Sequence, residues 1–128
     1  MPRVLIVDDE RGIRSLLVKA FTRAGYDART ASHARQAMGL CASEQYDALI
    51  SDVRMPGMDG HELVRWVART YPEIRCILMT GFDDVDCQDC PYVSRCRYLE
   101  KPFDPMAVVA TVEAVFRERR PAVRPDGT

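Results

Sequence analysis

The chain is expected to form an α/β protein, a (βα)5 three-layer sandwich on a parallel sheet with strand order 2-1-3-4-5. Three observations predict it. Apolar runs too short for helices alternate along the chain with stretches of helical periodicity. The runs lack polar alternation, which marks strands covered on both faces. The strand–helix unit recurs to the end of the chain, and right-handed crossovers turn that order into a parallel sheet flanked by two helical layers.

Val4–Val7 reads as the first strand. Ile13, Leu16, Leu17, Ala20, Phe21 and Ala24 then fall on one helical face, and Gly25 stops that helix. Asp27–Ala31 is a short second strand. Ser32 is placed to cap a helix running to about Glu44, with Ala34, Ala37, Met38 and Cys41 inward. Tyr46–Ser51 forms the third strand, and the turn-rich Met55-Pro56-Gly57-Met58 leads to Asp59. Asp59 and Glu62 make a capping box for a helix through Tyr71.

Arg75–Met79 and Cys96–Leu99 are the last two strands. Between them the fourth helix is expected to be shortened or irregular, because Pro91 interrupts a segment with few apolar positions to dock it. Asp104 followed by Pro105 starts a final helix whose core face is Val108, Val109, Val112, Val115 and Phe116. One domain is expected over residues 1–120, with 121–128 a tail or the start of a linker. Five strands in this order make a flavodoxin-like sheet, whose switch point lies between strands 1 and 3.

Bulk properties exclude several classes. At 128 residues with 47% hydrophobic and 29% charged residues, the chain suits one ordinary globular core. A net charge of -1 gives no electrostatic reason for binding nucleic acid or an anionic membrane. No apolar stretch approaches the roughly 20 residues of a membrane span. The N-terminus lacks a signal-peptide pattern, so a cytoplasmic location is expected. Five cysteines, an odd number, argue against a disulfide framework. Cys41 and Cys76 sit in apolar patterns and read as buried thiols. Cys87, Cys90 and Cys96 offer only three thiols to a metal that normally takes four ligands; unbonded thiols are the default, with a disulfide or a metal as alternatives.

The chemistry gathers at strand ends. Asp8 and Asp9 close the first apolar run, Asp52 follows the third and Lys101 the fifth. In parallel α/β sheets the carboxyl edge is where ligands bind. Two unit charges about 4 Å apart repel by roughly 4 kcal/mol at an effective dielectric of 20. Packing does not reward such a cluster; it calls for a divalent cation and a basic partner, which Lys101 supplies. Taken singly, each residue has a plainer reading. Asp8 or Asp9 would cap a helix, Asp52 and Thr80 would serve turns, and Tyr98 would fill the core. His33 and His61 read as solvated helix-start residues, and Arg117–Arg120 as favourable helix C-terminal charge.

Val7-Asp8-Asp9-Glu10, Asp52-Val53-Arg54-Met55-Pro56-Gly57-Met58-Asp59-Gly60, Thr80-Gly81 and Lys101-Pro102-Phe103, in this order, resemble the receiver (CheY-like) domain of two-component response regulators. The resemblance covers nearly the whole chain. It implies that Asp52 is the phospho-accepting aspartate. It also implies that Asp9 and Asp52 bind Mg²⁺ directly, Asp8 through water, and Arg54 through its backbone carbonyl. Thr80 and Lys101 would hold phosphoryl oxygens, Tyr98 would be the aromatic switch residue coupled to Thr80, and Phe82 would sit where phosphate lifetime is tuned.

The implied function is a phosphorylation-dependent switch. It would take phosphate from a histidine kinase or phosphotransfer protein and control a downstream protein or an effector domain outside this chain. It would be a regulatory module rather than an enzyme, with intrinsic Mg²⁺-dependent self-phosphorylation and autodephosphorylation. No direct nucleic-acid or membrane contact is implied, and a homodimer is compatible. The alternative is a phosphate-independent, receiver-like interaction module, although such relatives often lack residues kept here. A phosphohydrolase of the haloacid dehalogenase type would carry a second aspartate where Arg54 stands.

Overall fold

The computed structural model describes residues 1–80, 96–100 and 104–117, with Thr80 and 96–100 as backbone. The elements are β1 (Arg3–Val7), α1 (Arg11–Arg23), β2 (Asp27–Ala31), α2 (Ala34–Ser43), β3 (Ala48–Asp52), α3 (Gly60–Thr70), β4 (Arg75–Thr80), β5 (Cys96–Glu100) and α4 (Pro105–Arg117). The strands form one sheet in the order β2-β1-β3-β4-β5, every pair parallel. This is the order expected from the crossover rule. The segment expected to hold a shortened helix, with Phe82, Cys87 and Cys90, lies outside the described residues, as do Lys101 and the tail 121–128.

Period-two alternation divides the strand residues between two apolar layers. Leu5, Val7, Leu49, Cys76 and Leu78 pack with Ala34, Ala37 and Cys41 of α2 and Leu63, Val64 and Val67 of α3. Val4, Ile6, Ala48, Ile50, Ile77 and Met79 pack with Leu17, Ala20 and Phe21 of α1 and Val108, Val109, Val112 and Val115 of α4. Both faces are covered, so the strands show no polar alternation. On the second face Tyr26 meets Phe21 edge-on at 5.3 Å and stacks on Phe116 at 6.1 Å.

Helix ends follow local chemistry. Asp59 accepts the Glu62 N–H at 2.9 Å and caps α3. Asp104 accepts the Met106 N–H at 3.0 Å just before Pro105. Four sequence expectations need correction. His33, not Ser32, caps α2, its Nδ1 accepting the Gln36 N–H at 3.2 Å. The Gln36 side chain folds back instead to take the Ser32 N–H at 2.8 Å, a box shifted by one residue. Leu16 is 49% exposed although it fits the helical spacing, because each residue turns the helix by roughly 100° and Leu16 falls at the margin of the stripe centred on Leu17 and Ala20. Ala24 is exposed as the C-cap residue of α1. β3 also begins at Ala48 rather than Tyr46.

Strand β2 stands at one margin of the sheet. A mesh of charges decorates it. Asp27 pairs with Arg3 at 2.9 Å and Arg29 at 3.2 Å, while Glu44 lies 3.4 Å from Arg3 and 3.8 Å from Arg29. Among the described residues, no helix is long and apolar enough to cross a membrane.

Candidate metal centre

All parallel strands deliver their carboxyl ends to one edge, and the order reverses between β1 and β3. Asp8 follows the last residue of β1 and is fully buried. Its N–H donates to the Ala31 carbonyl at 3.1 Å, extending the β1–β2 ladder by one step. One carboxylate oxygen accepts the Glu10 N–H at 2.9 Å, an Asx turn that bends the chain into α1. Arg14, one turn into that helix, reaches back to the Asp8 carbonyl at 2.7 Å. Asp9 lies on the exposed side of the same turn.

Asp52 is the last residue of β3 and only 5% exposed. Its register partner is Met79, and the next N–H, of Val53, donates to the Met79 carbonyl at 3.0 Å. The strand is therefore held on both sides up to the point where the carboxylate leaves it. Met55, 8% exposed, anchors the loop that follows in the core, and Gly57 at φ +81° turns the chain toward α3.

Oxygens of Asp8, Asp9 and Asp52 come within 4.8 Å of one another. Two of the three carboxyl groups are buried, and ionising both there costs solvation that a cation would offset. An all-oxygen donor set of this kind suits a hard divalent ion such as Mg²⁺. The trio picked from sequence thus converges. Arg54 lies in the exposed loop two residues past Asp52. Thr80 ends β4, one step beyond Met79, and pairs in register with Glu100 at the end of β5. Tyr98 lies in β5 opposite Leu78. The Thr80 hydroxyl, the Tyr98 ring and the whole of Lys101 fall outside what is described.

Two contributors were not singled out from sequence. Ser51 is fully buried and its hydroxyl donates to the Asp52 carbonyl at 3.0 Å. Gly60 is buried against the backbone of Asp52 and Val53. A serine closing an apolar run and a glycine opening a helix were the available signals. Arg11, Arg14, Ser15, Val18 and Lys19 of α1 and Thr30 of β2 line a groove of about 370 Å³.

A family model for the response regulator receiver domain matches residues 4–113. Over 124 residues the chain is 37% identical to the DNA-binding transcriptional regulator NtrC of Proteus hauseri, covering 96% of this chain and 26% of that protein. The chain therefore spans about a quarter of the length of that relative. It is 35% identical over 103 residues to sporulation initiation phosphotransferase F of Bacillus subtilis, covering 80% and 83% of the two. Among solved structures, chemotaxis protein CheY4 of Vibrio cholerae aligns with a TM-score of 0.81 at 31% identity, covering 90% and 98%. Response regulator TrrA of Thermotoga maritima, in complex with Mg²⁺-BeF, aligns with a TM-score of 0.80 at 29% identity, covering 90% and 99%.

Proposed function

The chain belongs to the response regulator receiver family, and on that premise we propose that its acidic centre holds Mg²⁺ and that Asp52 is the phosphoryl acceptor. Membership makes it a regulatory module of phosphorylation-dependent two-component signalling. The observation that carries the residue assignment is the convergence of Asp8, Asp9 and Asp52 at the switch point of the sheet.

An Asp52 carboxylate oxygen attacks the phosphorus of a phosphohistidine on a histidine kinase or phosphotransfer protein. The P–N bond breaks, the imidazole leaves with its electron pair and takes up a proton, and an acyl phosphate remains on Asp52. Mg²⁺ supplies charge neutralisation for the carboxylate and phosphoryl oxygens, which phosphoryl transfer chiefly demands. Asp9, Asp52 and the Arg54 carbonyl are the residues proposed to touch it, with Asp8 acting through water. The buried position of Asp52 at a strand end keeps the nucleophile's direction fixed. Arg14, 2.7 Å from the Asp8 carbonyl, keeps a positive charge near the centre and favours the approach of an anionic donor.

Thr80 and Lys101 take the phosphoryl oxygens, and Tyr98 follows the movement of Thr80. A phosphoryl group adds roughly 1.5 to 2 negative charges, enough to bias a two-state element. Hydrolysis resets the switch: water attacks phosphorus, the P–O bond to Asp52 breaks, and inorganic phosphate departs. The same chemistry allows self-phosphorylation from small donors. We assign residues 1–120 to the receiver domain, place it in the cytoplasm, and take its target as a downstream protein or an effector domain.

Incubation with Mg²⁺ and acetyl phosphate, followed by intact-mass measurement, tests the reading. A phosphoryl adduct that disappears in Asp52→Asn and in excess EDTA is the expected result. Absence of an adduct under any donor points to a phosphate-independent interaction module instead.

A further inference from the structure

Gly60 and Ser51 both touch the backbone that carries Asp52. The buried Ser51 hydroxyl donates to the Asp52 carbonyl at 3.0 Å. The Gly60 N–H donates to the Val53 carbonyl at 2.8 Å. A Cβ added to Gly60 would overlap the Asp52 carbonyl oxygen and stand 2.9 Å from Val53 Cα. Both obstacles are backbone, with no flexible side chain to yield. Gly60 is not among the positive-φ glycines, so its missing side chain serves close approach and not turn geometry. By contrast, a Cβ on Gly39 or Gly57 would meet nothing within 4 Å.

We infer that Gly60 and Ser51 are positioning residues for the phosphoryl-accepting carboxylate: they clamp the Asp52–Val53 peptide between β3 and the start of α3. The inference rests on the function proposed above. The peptide plane sets where the Asp52 side chain points and where the chain through Arg54 departs. A metal ligand that is also a nucleophile must satisfy two directions at once. A misplacement on the order of 1 Å costs such chemistry up to about 100-fold, and a Cβ on Gly60 forces a shift of that order.

The test uses the full chain and calorimetric titration with MgCl₂ in the absence of any phosphodonor, well below the melting temperature of each variant. Phosphorylation by acetyl phosphate at saturating Mg²⁺ is measured alongside. Gly60→Ala is expected to weaken Mg²⁺ binding by about tenfold or more and to slow phosphorylation by up to about 100-fold. Ser51→Ala moves both the same way by a few-fold. Gly39→Ala changes neither, and Val112→Ala lowers the melting temperature while leaving Mg²⁺ affinity intact. A folded Gly60→Ala and a Ser51→Ala that both bind and react like the wild type overturn the clamp, as does an equal loss of affinity in Val112→Ala. If Gly60→Ala does not fold, Ser51→Ala decides by the same two measurements. A wild type that takes no phosphate strikes the proposed function, while the calorimetry still decides the clamp.

Discussion

Asp52→Asn should make the metal-free protein more stable while removing its proposed chemistry. Asp8 and Asp52 are 0% and 5% exposed, and the carboxylate oxygens of the cluster lie within 4.8 Å of one another. At that separation and an effective dielectric of 20, two full charges repel by roughly 3 kcal/mol. Asp9 is exposed, so salt screens its share. Asparagine keeps the shape of the side chain and deletes the charge. Allowing for water around the mouth of the site, a gain of about 1–3 kcal/mol is expected in EDTA at low salt. For a chain of this size that is roughly 4 °C in Tm per kcal/mol. Mg²⁺ at one hundred times its Kd adds about 2.7 kcal/mol to the wild type, and the variant should gain much less. Thermal melts of both proteins, with EDTA and across a MgCl₂ series, measure each arm. Equal melting temperatures in EDTA together with no Mg²⁺-dependent shift in the wild type would refute the crowding of charge on which the argument depends.

Neighbouring leucines of α1 should part company: Leu17→Ala is expected to cost about 2–5 kcal/mol, and Leu16→Ala within about 0.5 kcal/mol of nothing, by urea unfolding in Mg²⁺. Asp27 is held below its ordinary value, chiefly by its hydrogen bond from Arg3 and also by Arg29, against a smaller opposing effect of burial. Its contribution is therefore present above the unfolded carboxylate range and lost as pH falls through the folded value. Asp27→Asn should flatten Tm against pH below about 4. Burial pushes the Tyr46 phenol up to about 12, helped by Glu44, which accepts its hydroxyl at 3.2 Å. Stability from Tyr46 is present below the unfolded value near 10 and fades as pH rises toward 12; ultraviolet titration of Tyr46→Phe against wild type should remove one late-ionising phenol. Burial also pushes the Cys41 thiol up to about 11, so peptide mapping after labelling should find it alkylated only upon unfolding.

The architecture was readable because strand and helix patterns differ in length and period, and setting β1 beside β3 in a parallel sheet brings Asp8, Asp9 and Asp52 together. The trio was readable because carboxylates at three strand ends have no packing motive. What escaped was second-order geometry. Ser51 looks like an ordinary end to an apolar run until its hydroxyl is seen on the Asp52 carbonyl. Gly60 reads as an indifferent helix start until the Cβ it lacks is seen to fall on the Asp52 carbonyl. Ser32 and His33 are both plausible caps, and the choice hinged on where the flexible Gln36 amide folds. Leu16 met the spacing rule, but spacing does not say where an apolar stripe ends. Such outcomes depend on angles of a few tens of degrees, which residue identity alone does not encode.

The lattice of opposite charges on β2 has a bearing on crowding. An open strand margin is a template on which a stranger's extended segment is able to zip, the first step of fibril growth. Arg29 stands exposed there, tethered to Asp27 and Glu44. Any intruding strand would have to dismantle those tethers and strand the charges in a dry seam. The charges therefore disfavour edge-to-edge pairing of copies through that flank.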